Sequence, residues 1–199
     1  MTARNNGLEF TLEREGGALF LTLVSDDKMN RLTRRKVNAL KDEIESFCSV
    51  GAAVLPLVIS GDPIFSAGAD LQEISKLNGA DAIEFAQMGQ RLMAAIDHFP
   101  APVYAAIDGY CMGGGLDLAL ACDHRIASPH AVFGHRGAAL GLITGWGGTQ
   151  RLPRLIGKGR ALEMFVAAEK ITATKALGIG LVDAIVLDPV AEAVRRIRQ

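Results

Sequence analysis

The sequence has few of the features that mark a secreted or membrane-bound protein. Only three cysteines occur among its 199 residues, Cys48, Cys111 and Cys122, and no two of them form a Cys-x-x-Cys pair. An odd number of cysteines without a signal sequence favours reduced thiols in the cytoplasm. The first ten residues contain no apolar run typical of a signal peptide, and no later run is long and uncharged enough to span a bilayer. We therefore expect a cytoplasmic protein without a membrane partner.

The chain also lacks an excess of charge of either sign. Its 21 Lys and Arg residues nearly balance its 22 Asp and Glu residues, which gives a formal net charge of −1. This balance gives no general reason to expect nucleic acid as a partner. The four histidines and three cysteines show no metal-ligand spacing, so no metal site is predicted.

What the sequence does contain is a regular alternation of predicted strands and helices. Two alternating segments around Gly16 and Gly17 predict a hairpin. Apolar residues at helical spacing predict one helix that begins after Thr33 and ends near Gly51, and a longer one that begins at Asp81. Continuous apolar runs predict a buried, parallel strand over residues 54–60 and a short buried strand over residues 103–107. Strands that alternate with helices predict an α/β fold.

The second half of the chain continues the same alternation with shorter segments. Its predicted strands and helices cover residues 124–128, 131–134, 149–156, 159–168, 172–177, 182–186 and 189–198. No linker, repeat or low-complexity segment divides the sequence. We therefore predict a single domain over residues 1–199, with a core at about 8–186 and a short closing helix at 189–198.

Residues 105–123, AAIDGYCMGGGLDLALACD, form the most informative stretch. Three glycines, the middle one Gly114, separate a buried strand from an apolar helix. The first N–H groups of a helix have no intrahelical partner, and the helix dipole makes that end attractive to negative charge. Asp117 lies three residues after Gly114 and therefore on the same helix face, and its side chain leans toward the N-terminus. The stretch predicts a backbone donor for an oxyanion beside a carboxylate.

Four motifs in this order make the chain resemble the crotonase superfamily of enoyl-CoA hydratases and isomerases. They are FSAGADL, GYCMGGGLDLALACD, GLITGWGGTQRLPRLIG and KALGIGLVD, at residues 65–71, 109–123, 141–157 and 175–183. The resemblance implies a spiral of ββα units and a role on acyl-CoA thioesters, for example in fatty acid metabolism. It also implies a homotrimer or a dimer of trimers, without a tightly bound cofactor, since coenzyme A is part of the substrate.

The resemblance further implies the residues of the site. The family holds the thioester carbonyl in an oxyanion hole made of two backbone N–H groups, which by motif position would be those of Ala69 and Gly114. A thioester enolate would be stabilised there. Coenzyme A would lie along two loops, and its contacts would be Met29, Arg31, Ala67, Ala69, Asp70, Leu71, Gly113 and Gly114. Asp70 is also a candidate N-cap for a short helix at 71–77.

The catalytic positions depart from those of ordinary hydratases, which hold a water between two glutamates. Here the first position is Asp117 and the second is Gly137, which has no side chain. Dienoyl-CoA isomerases of the family share the aspartate but keep carboxylates at positions that match Gly137 and Gly145. His135 is the best candidate for a second acid or base, because its unperturbed pKa lies near neutrality. Strand alternation after Phe133 could instead direct His135 into the core or to solvent.

These departures leave alternatives open. A crotonase-superfamily decarboxylase or hydrolase needs the oxyanion hole but not two carboxylates. Two further alternatives need no catalytic carboxylates. One is a non-catalytic acyl-CoA-binding homologue, and the other is an RNA-binding relative that uses the basic residues of the helix after Thr33. Relatives also continue with C-terminal helices where this sequence has only residues 189–199. We therefore expect a shortened C-terminal helical region, with an acyl pocket that is more open or is covered by a neighbouring subunit.

Overall fold

Strands and helices alternate along the computed structural model, which describes residues 3–4, 9–48 and 54–199. The strands in these residues are β1 (Ala3–Arg4), β2 (Phe10–Glu15), β3 (Ala18–Leu23), β4 (Arg31–Leu32), β5 (Leu57–Gly61), β6 (Gly68–Ala69), β7 (Val103–Ile107), β8 (Tyr110–Met112), β9 (His124–Ala127), β10 (Val132–Gly134), β11 (Ile171–Thr172) and β12 (Ala184–Ile185). The α-helices are α1 (Arg34–Cys48), α2 (Leu71–Ile74), α3 (Gly79–Asp97), α4 (Gly114–Ala121), α5 (Gly148–Ile156), α6 (Lys158–Ala167), α7 (Ala173–Gly178) and α8 (Pro189–Ile197). A 3₁₀ turn covers Gly137–Leu140.

The main sheet has seven strands in the order β1-β2-β3-β5-β7-β9-β12. Its first three strands are antiparallel, and every pair from β3 to β12 is parallel. Short strands form two further sheets, β11-β10-β8 and β4-β6. A strand of the main sheet is followed by a short strand and then by a helix in β3-β4-α1, in β5-β6-α2 and in β7-β8-α4. This repeat confirms the predicted spiral of ββα units.

Both faces of the main sheet are covered, which explains the continuous apolar runs in its strands. Alternate side chains, such as Ile59 and Ala105, belong to the main core together with residues of α1, α3 and α4. Their neighbours Val58 and Tyr104 pack on the other face with Ala193 of α8. A parallel strand that is buried on both faces reads as an unbroken apolar run rather than as an alternation.

The observed bounds differ from the predicted ones at several ends. The strand predicted at 54–60 begins at Leu57, and the helix predicted at 71–77 ends at Ile74. The long helix begins at Gly79 because the side chain of Asn78 caps it. Strand β8 was not predicted, because it is only three residues long and depends on pairing with β10. The predicted end of α1 near Gly51 and the first hairpin residue, Leu8, lie outside the described residues.

The helices of the described residues are amphipathic or short. The longest of them, α3, has 19 residues and carries charges at Asp81, Glu84, Arg91 and Asp97. None of these helices combines the length and the apolar character needed to cross a bilayer.

Candidate active site

Two backbone amides lie side by side where β6 ends and α4 begins. The N–H of Asp70 donates to Leu32 O of β4 at 3.4 Å. Ala69, the residue before Asp70, ends β6. Its backbone nitrogen lies close to Gly114: a Cβ on Gly114 would be 3.2 Å from Ala69 N, and a Cβ on Gly68 would be 3.0 Å from Gly114 N. Gly114 opens α4, so its N–H has no partner within the helix.

The close approach of these two segments depends on missing side chains. Gly68 has φ +95, and a Cβ there would come within 2.5 Å of Met112 O. A Cβ on Gly114 would come within 2.5 Å of Cζ3 of the buried Trp146. Glycine alone permits both contacts without a shift of the backbone or of the indole. The indole thus covers one side of Gly114 and helps to exclude water there.

Two buried polar residues that the sequence analysis did not single out hold β6 in place. Ser66 Oγ donates to Asn30 O at 2.7 Å and accepts from Gly68 N at 3.1 Å. The side-chain amide of Asn30 donates to Leu23 O at 3.0 Å and to Ile64 O at 2.7 Å. Both residues are fully buried. The sequence around Ser66 and Asn30 carries no periodic pattern that predicts these hydrogen bonds, so only the tertiary structure reveals them.

The two loops predicted to contact coenzyme A adjoin each other. Ala67 N donates to Met29 O at 2.9 Å, and Arg31 pairs in register with Gly68 across β4 and β6. The Arg31 guanidinium forms an ion pair with Asp27, and both side chains are about half exposed. The structure therefore brings Met29, Arg31 and Ala67 together at the surface.

The residues that follow β6 begin the short helix α2. Asp70 caps it, with Oδ1 accepting from Gln72 N at 2.7 Å and from Glu73 N at 3.1 Å. This confirms the N-cap predicted for Asp70. Leu71, the first residue of α2, is 53% exposed.

The predicted carboxylate, Asp117, is buried beside the predicted histidine. Asp117 and His135 are 1% and 4% exposed, and Asp117 Oδ1 lies 3.4 Å from His135 Nε2. Neither of these two atoms has a hydrogen-bond partner among the described residues. The other carboxylate oxygen, Oδ2, accepts a hydrogen bond from the Thr144 hydroxyl. The His135 ring also packs against Phe165 at 5.2 Å between centroids.

Burial shifts the pKa values of this pair in opposite directions. Burial raises the pKa of Asp117 to about 7, against opposing effects of the Thr144 hydroxyl, the Arg151 charge and the Gly148 backbone N–H. Burial lowers the pKa of His135 to about 4, because the charged imidazolium loses its hydration. Near neutral pH, His135 is therefore uncharged, and Asp117 is close to the midpoint of its ionisation.

The backbone around Gly137 and Gly145 leaves little space for side chains. Gly137 begins the 3₁₀ turn, and a Cβ there would lie 2.7 Å from Leu142 O. A Cβ on Gly145 would lie 3.3 Å from the Cβ of Ala86. A side chain at Gly137 would thus require the backbone near Leu142 to move, whereas one at Gly145 would require a shift of only a few tenths of an ångström. The loop over residues 137–145 contacts the buried pair of Asp117 and His135 through Thr144.

Two further residues that could have lined an acyl pocket belong to the core. Cys111 is fully buried, its Sγ donates to Gly115 O at 3.5 Å, and burial raises the pKa of its thiol well above the usual value. Such a thiol is inert. Trp146 is also buried, and its Nε1 donates to Phe85 O at 3.1 Å. Among the described residues, no group of three or more His, Cys, Asp or Glu side chains could hold a metal ion.

A groove of about 870 Å³ is lined in part by Thr144 and by residues of α5. Charged and polar side chains dominate its lining, including Asp97, Arg151 and Arg154. An acyl chain prefers an apolar lining, and the groove reaches neither Ala69 nor Gly114. We therefore do not place a substrate there.

Comparison with known proteins gives a consistent match over most of the chain. The sequence model of a family described as enoyl-CoA hydratase/isomerase matches residues 13–199. The chain is 39% identical over 176 residues to a crotonyl-CoA hydratase of Syntrophomonas wolfei, and 37% identical over 178 residues to a short-chain-enoyl-CoA hydratase of Clostridium acetobutylicum. Each alignment covers 88% of this chain, but only 68% and 67% of the respective relatives. The chain thus spans about two thirds of their length.

Solved structures agree with this match. The structure of DspI from Pseudomonas aeruginosa superposes with a TM-score of 0.90 at 35% identity, covering 96% of this chain and 73% of that one. An enoyl-CoA hydratase from Thermoplasma volcanium superposes with a TM-score of 0.90 at 32% identity, covering 98% of this chain and 78% of that one.

Proposed function

The chain belongs to the enoyl-CoA hydratase/isomerase family of enzymes, as its motifs predicted, and on this premise we propose that it acts on an acyl-CoA thioester. In this proposal, the N–H groups of Ala69 and Gly114 donate to the thioester carbonyl oxygen, and Asp117 transfers a proton of the acyl chain. The observation that carries the proposal is the close approach of the Ala69 and Gly114 backbones, with Asp117 one helical turn along α4. Both amides belong to half-buried residues.

The two amides would act on the charge that develops during the reaction. Removal of a proton from the α-carbon leaves an enolate, whose charge gathers on the carbonyl oxygen. Donors that are already in place stabilise this charge without reorganisation, and one such donor is worth roughly 3–4 kcal/mol. The covering of Gly114 by Trp146 strengthens the effect, because electrostatic interactions are stronger where water is excluded.

Asp117 supports proton transfer in both directions. A group is an efficient acid and base when its pKa lies near the working pH, and burial places the pKa of Asp117 at about 7. In an isomerisation, the ionised carboxylate would remove a proton from C2 of a 3-enoyl thioester. It would then return this proton to C4, while the double bond moves to C2–C3. One carboxylate is sufficient for this sequence.

Hydration needs a second group, for which the neutral His135 is the candidate. The hydroxyl of a water would add to C3 of a 2-enoyl thioester, C2 would receive a proton from Asp117, and the remaining proton of the water would pass to a base. Uncharged His135 has the right protonation state for that base, since its pKa is lowered to about 4. The distance of 3.4 Å between Nε2 and Asp117 Oδ1 supports a shared role.

The remaining site residues are proposed to bind coenzyme A as part of the substrate. Met29, Arg31, Ala67, Asp70 and Leu71 lie on the two adjoining loops, next to Ala69, Gly113 and Gly114. The exposed Leu71 would contact the pantetheine, and the Arg31 guanidinium would meet a phosphate. A homotrimer or a dimer of trimers stays a prediction.

A panel of thioesters tests the proposed function. Crotonyl-CoA, a 3-enoyl-CoA and a malonyl-type CoA would each be incubated with the protein, and the products read by mass and ultraviolet absorption. We expect crotonyl-CoA to gain one water, or the 3-enoyl-CoA to become the conjugated isomer of equal mass. Loss of carbon dioxide, or release of free coenzyme A, would favour a decarboxylase or a hydrolase. Binding of all three without turnover would favour a non-catalytic homologue.

Replacement of Arg31 by alanine tests the coenzyme A contacts. We expect KM to rise about tenfold with little change in kcat, because the guanidinium would bind a group that does not react. Arg14→Ala is a matched control, since Arg14 is exposed on β2, outside the two loops. Steady-state kinetics on the reactive thioester of the panel would measure both constants. An unchanged KM in Arg31→Ala would exclude this contact.

A further inference from the structure

Thr144 links the loop over the site to the carboxylate of Asp117. Its hydroxyl donates to Asp117 Oδ2, and its oxygen accepts a long hydrogen bond of 3.5 Å from Trp146 N. The second contact indicates the direction of the first, because an oxygen that accepts from a backbone N–H has its own hydrogen free for the carboxylate. One oxygen of Asp117 is thus held by a neutral donor.

The other oxygen of Asp117 lies beside His135. Asp117 Oδ1 and His135 Nε2 are 3.4 Å apart, buried, and without a hydrogen-bond partner among the residues that the structure describes. Gly148 lies next to both atoms: a Cβ there would lie 2.2 Å from Oδ1 and 3.0 Å from Nε2. A side chain at position 148 would therefore collide with both groups.

We propose that Thr144 is a positioning residue, which by holding Oδ2 of Asp117 makes Oδ1 the oxygen that takes up and releases the proton, facing Nε2 of His135. The inference rests on the proposed function, in which Asp117 transfers the proton, and it adds which atom does so. Since Oδ2 already accepts the Thr144 hydrogen, a proton bound to the carboxyl resides on Oδ1. On Oδ1, this proton can form a hydrogen bond to Nε2 of the neutral imidazole. Asp117 and His135 then share a single proton.

The charges around Asp117 fix the sign of the expected effect. His135 faces it from the segment after β10, Arg151 from α5 and the thiol of Cys111 from β8. His135 is neutral near pH 7, and the charge of Arg151 favours the carboxylate. The Thr144 hydroxyl favours the carboxylate as well, because it donates to the ionised form. Removal of this donor should therefore raise the pKa of Asp117.

Two replacements of Thr144 separate positioning from packing. Thr144→Val keeps the shape of the side chain but removes the donor, whereas Thr144→Ser keeps the donor. The ¹³C resonance of the Asp117 carboxyl, assigned by its loss in Asp117→Asn, reports the pKa without any substrate. We expect Thr144→Val to raise this pKa by about one unit and Thr144→Ser to leave it near the parent value. Thr149→Val, in the first turn of α5, is the matched control.

Turnover supplies the second readout. In isomerisation, where the ionised carboxylate starts the reaction, kcat/KM of the parent should fall as the pH drops through the pKa of Asp117. In hydration, where protonated Asp117 donates to C2, kcat/KM should fall as the pH rises through this pKa. In Thr144→Val, either fall should occur at higher pH. A merely structural role would lower turnover or stability without moving the fall. An unchanged Asp117 pKa in folded Thr144→Val would overturn the inference. A raised pKa in a protein that turns over no thioester would refute the proposed function and leave the positioning by Thr144 intact.

Discussion

Replacement of Asp117 by asparagine is expected to lower turnover by about 10²–10⁴-fold while the thioester still binds. Asparagine has the same size and still accepts a hydrogen bond from Thr144, but it cannot take up a proton. The predicted contacts with coenzyme A come from two other loops, so binding should change little. Steady-state kinetics would measure the loss of kcat, and calorimetry with an unreactive acyl-CoA analogue would measure the binding. Unchanged turnover would remove Asp117 from the mechanism.

The stability of the same variant provides a control for folding. The pKa of Asp117 in the folded chain, about 7, lies above its ordinary value of 3.8, so the folded state binds this proton more tightly than the unfolded state. Ionisation of Asp117 therefore costs stability progressively as the pH rises from about 4 to 7. Asparagine never ionises, and above pH 7 we expect Asp117→Asn to unfold at a temperature no lower than the parent. A lower temperature would mean that lost activity cannot be assigned to chemistry alone.

Replacement of Gly68 by alanine is expected to produce the second large loss, about 10²–10³-fold in kcat. The added Cβ would lie 2.5 Å from Met112 O and 3.0 Å from Gly114 N. Both atoms belong to the backbone, so the methyl group can be accommodated only if β6 moves away from the start of α4. The two amides would then no longer meet one carbonyl oxygen. Kinetics on the reactive thioester, with thermal unfolding in parallel, would measure the effect.

Gly141→Ala separates this effect from the cost of a left-handed backbone. Gly141 has φ +68, also in the left-handed region, but a Cβ there would have nothing within 4 Å. Alanine at such a position costs roughly 1–2 kcal/mol of stability. We expect Gly141→Ala to lose stability but to keep most of its turnover. Full activity in a folded Gly68→Ala protein would contradict the proposed role of Ala69 and Gly114.

Much of the fold follows from local pattern. The helix that begins after Thr33 and the strand Val103–Ile107 appear where their apolar spacing predicts them. A helix buried on one face has periodic apolar residues, and a strand buried on both faces has a continuous apolar run. Strand β8 has three residues, too few to show such a pattern. Its pairing with β10 joins segments that are distant in the chain, and sequence periodicity carries no information about such pairing.

The sequence by itself determined the family and predicted the roles of Ala69, Gly114 and Asp117, because glycines and small residues at fixed spacing mark where backbone must approach backbone. Only the tertiary structure decided that Asp117 meets His135 and Thr144. It also decided that burial brings the pKa of Asp117 to about 7 and that of His135 to about 4. Desolvation depends on everything packed around a group, and the residues that enclose this pair come from separate segments of the chain.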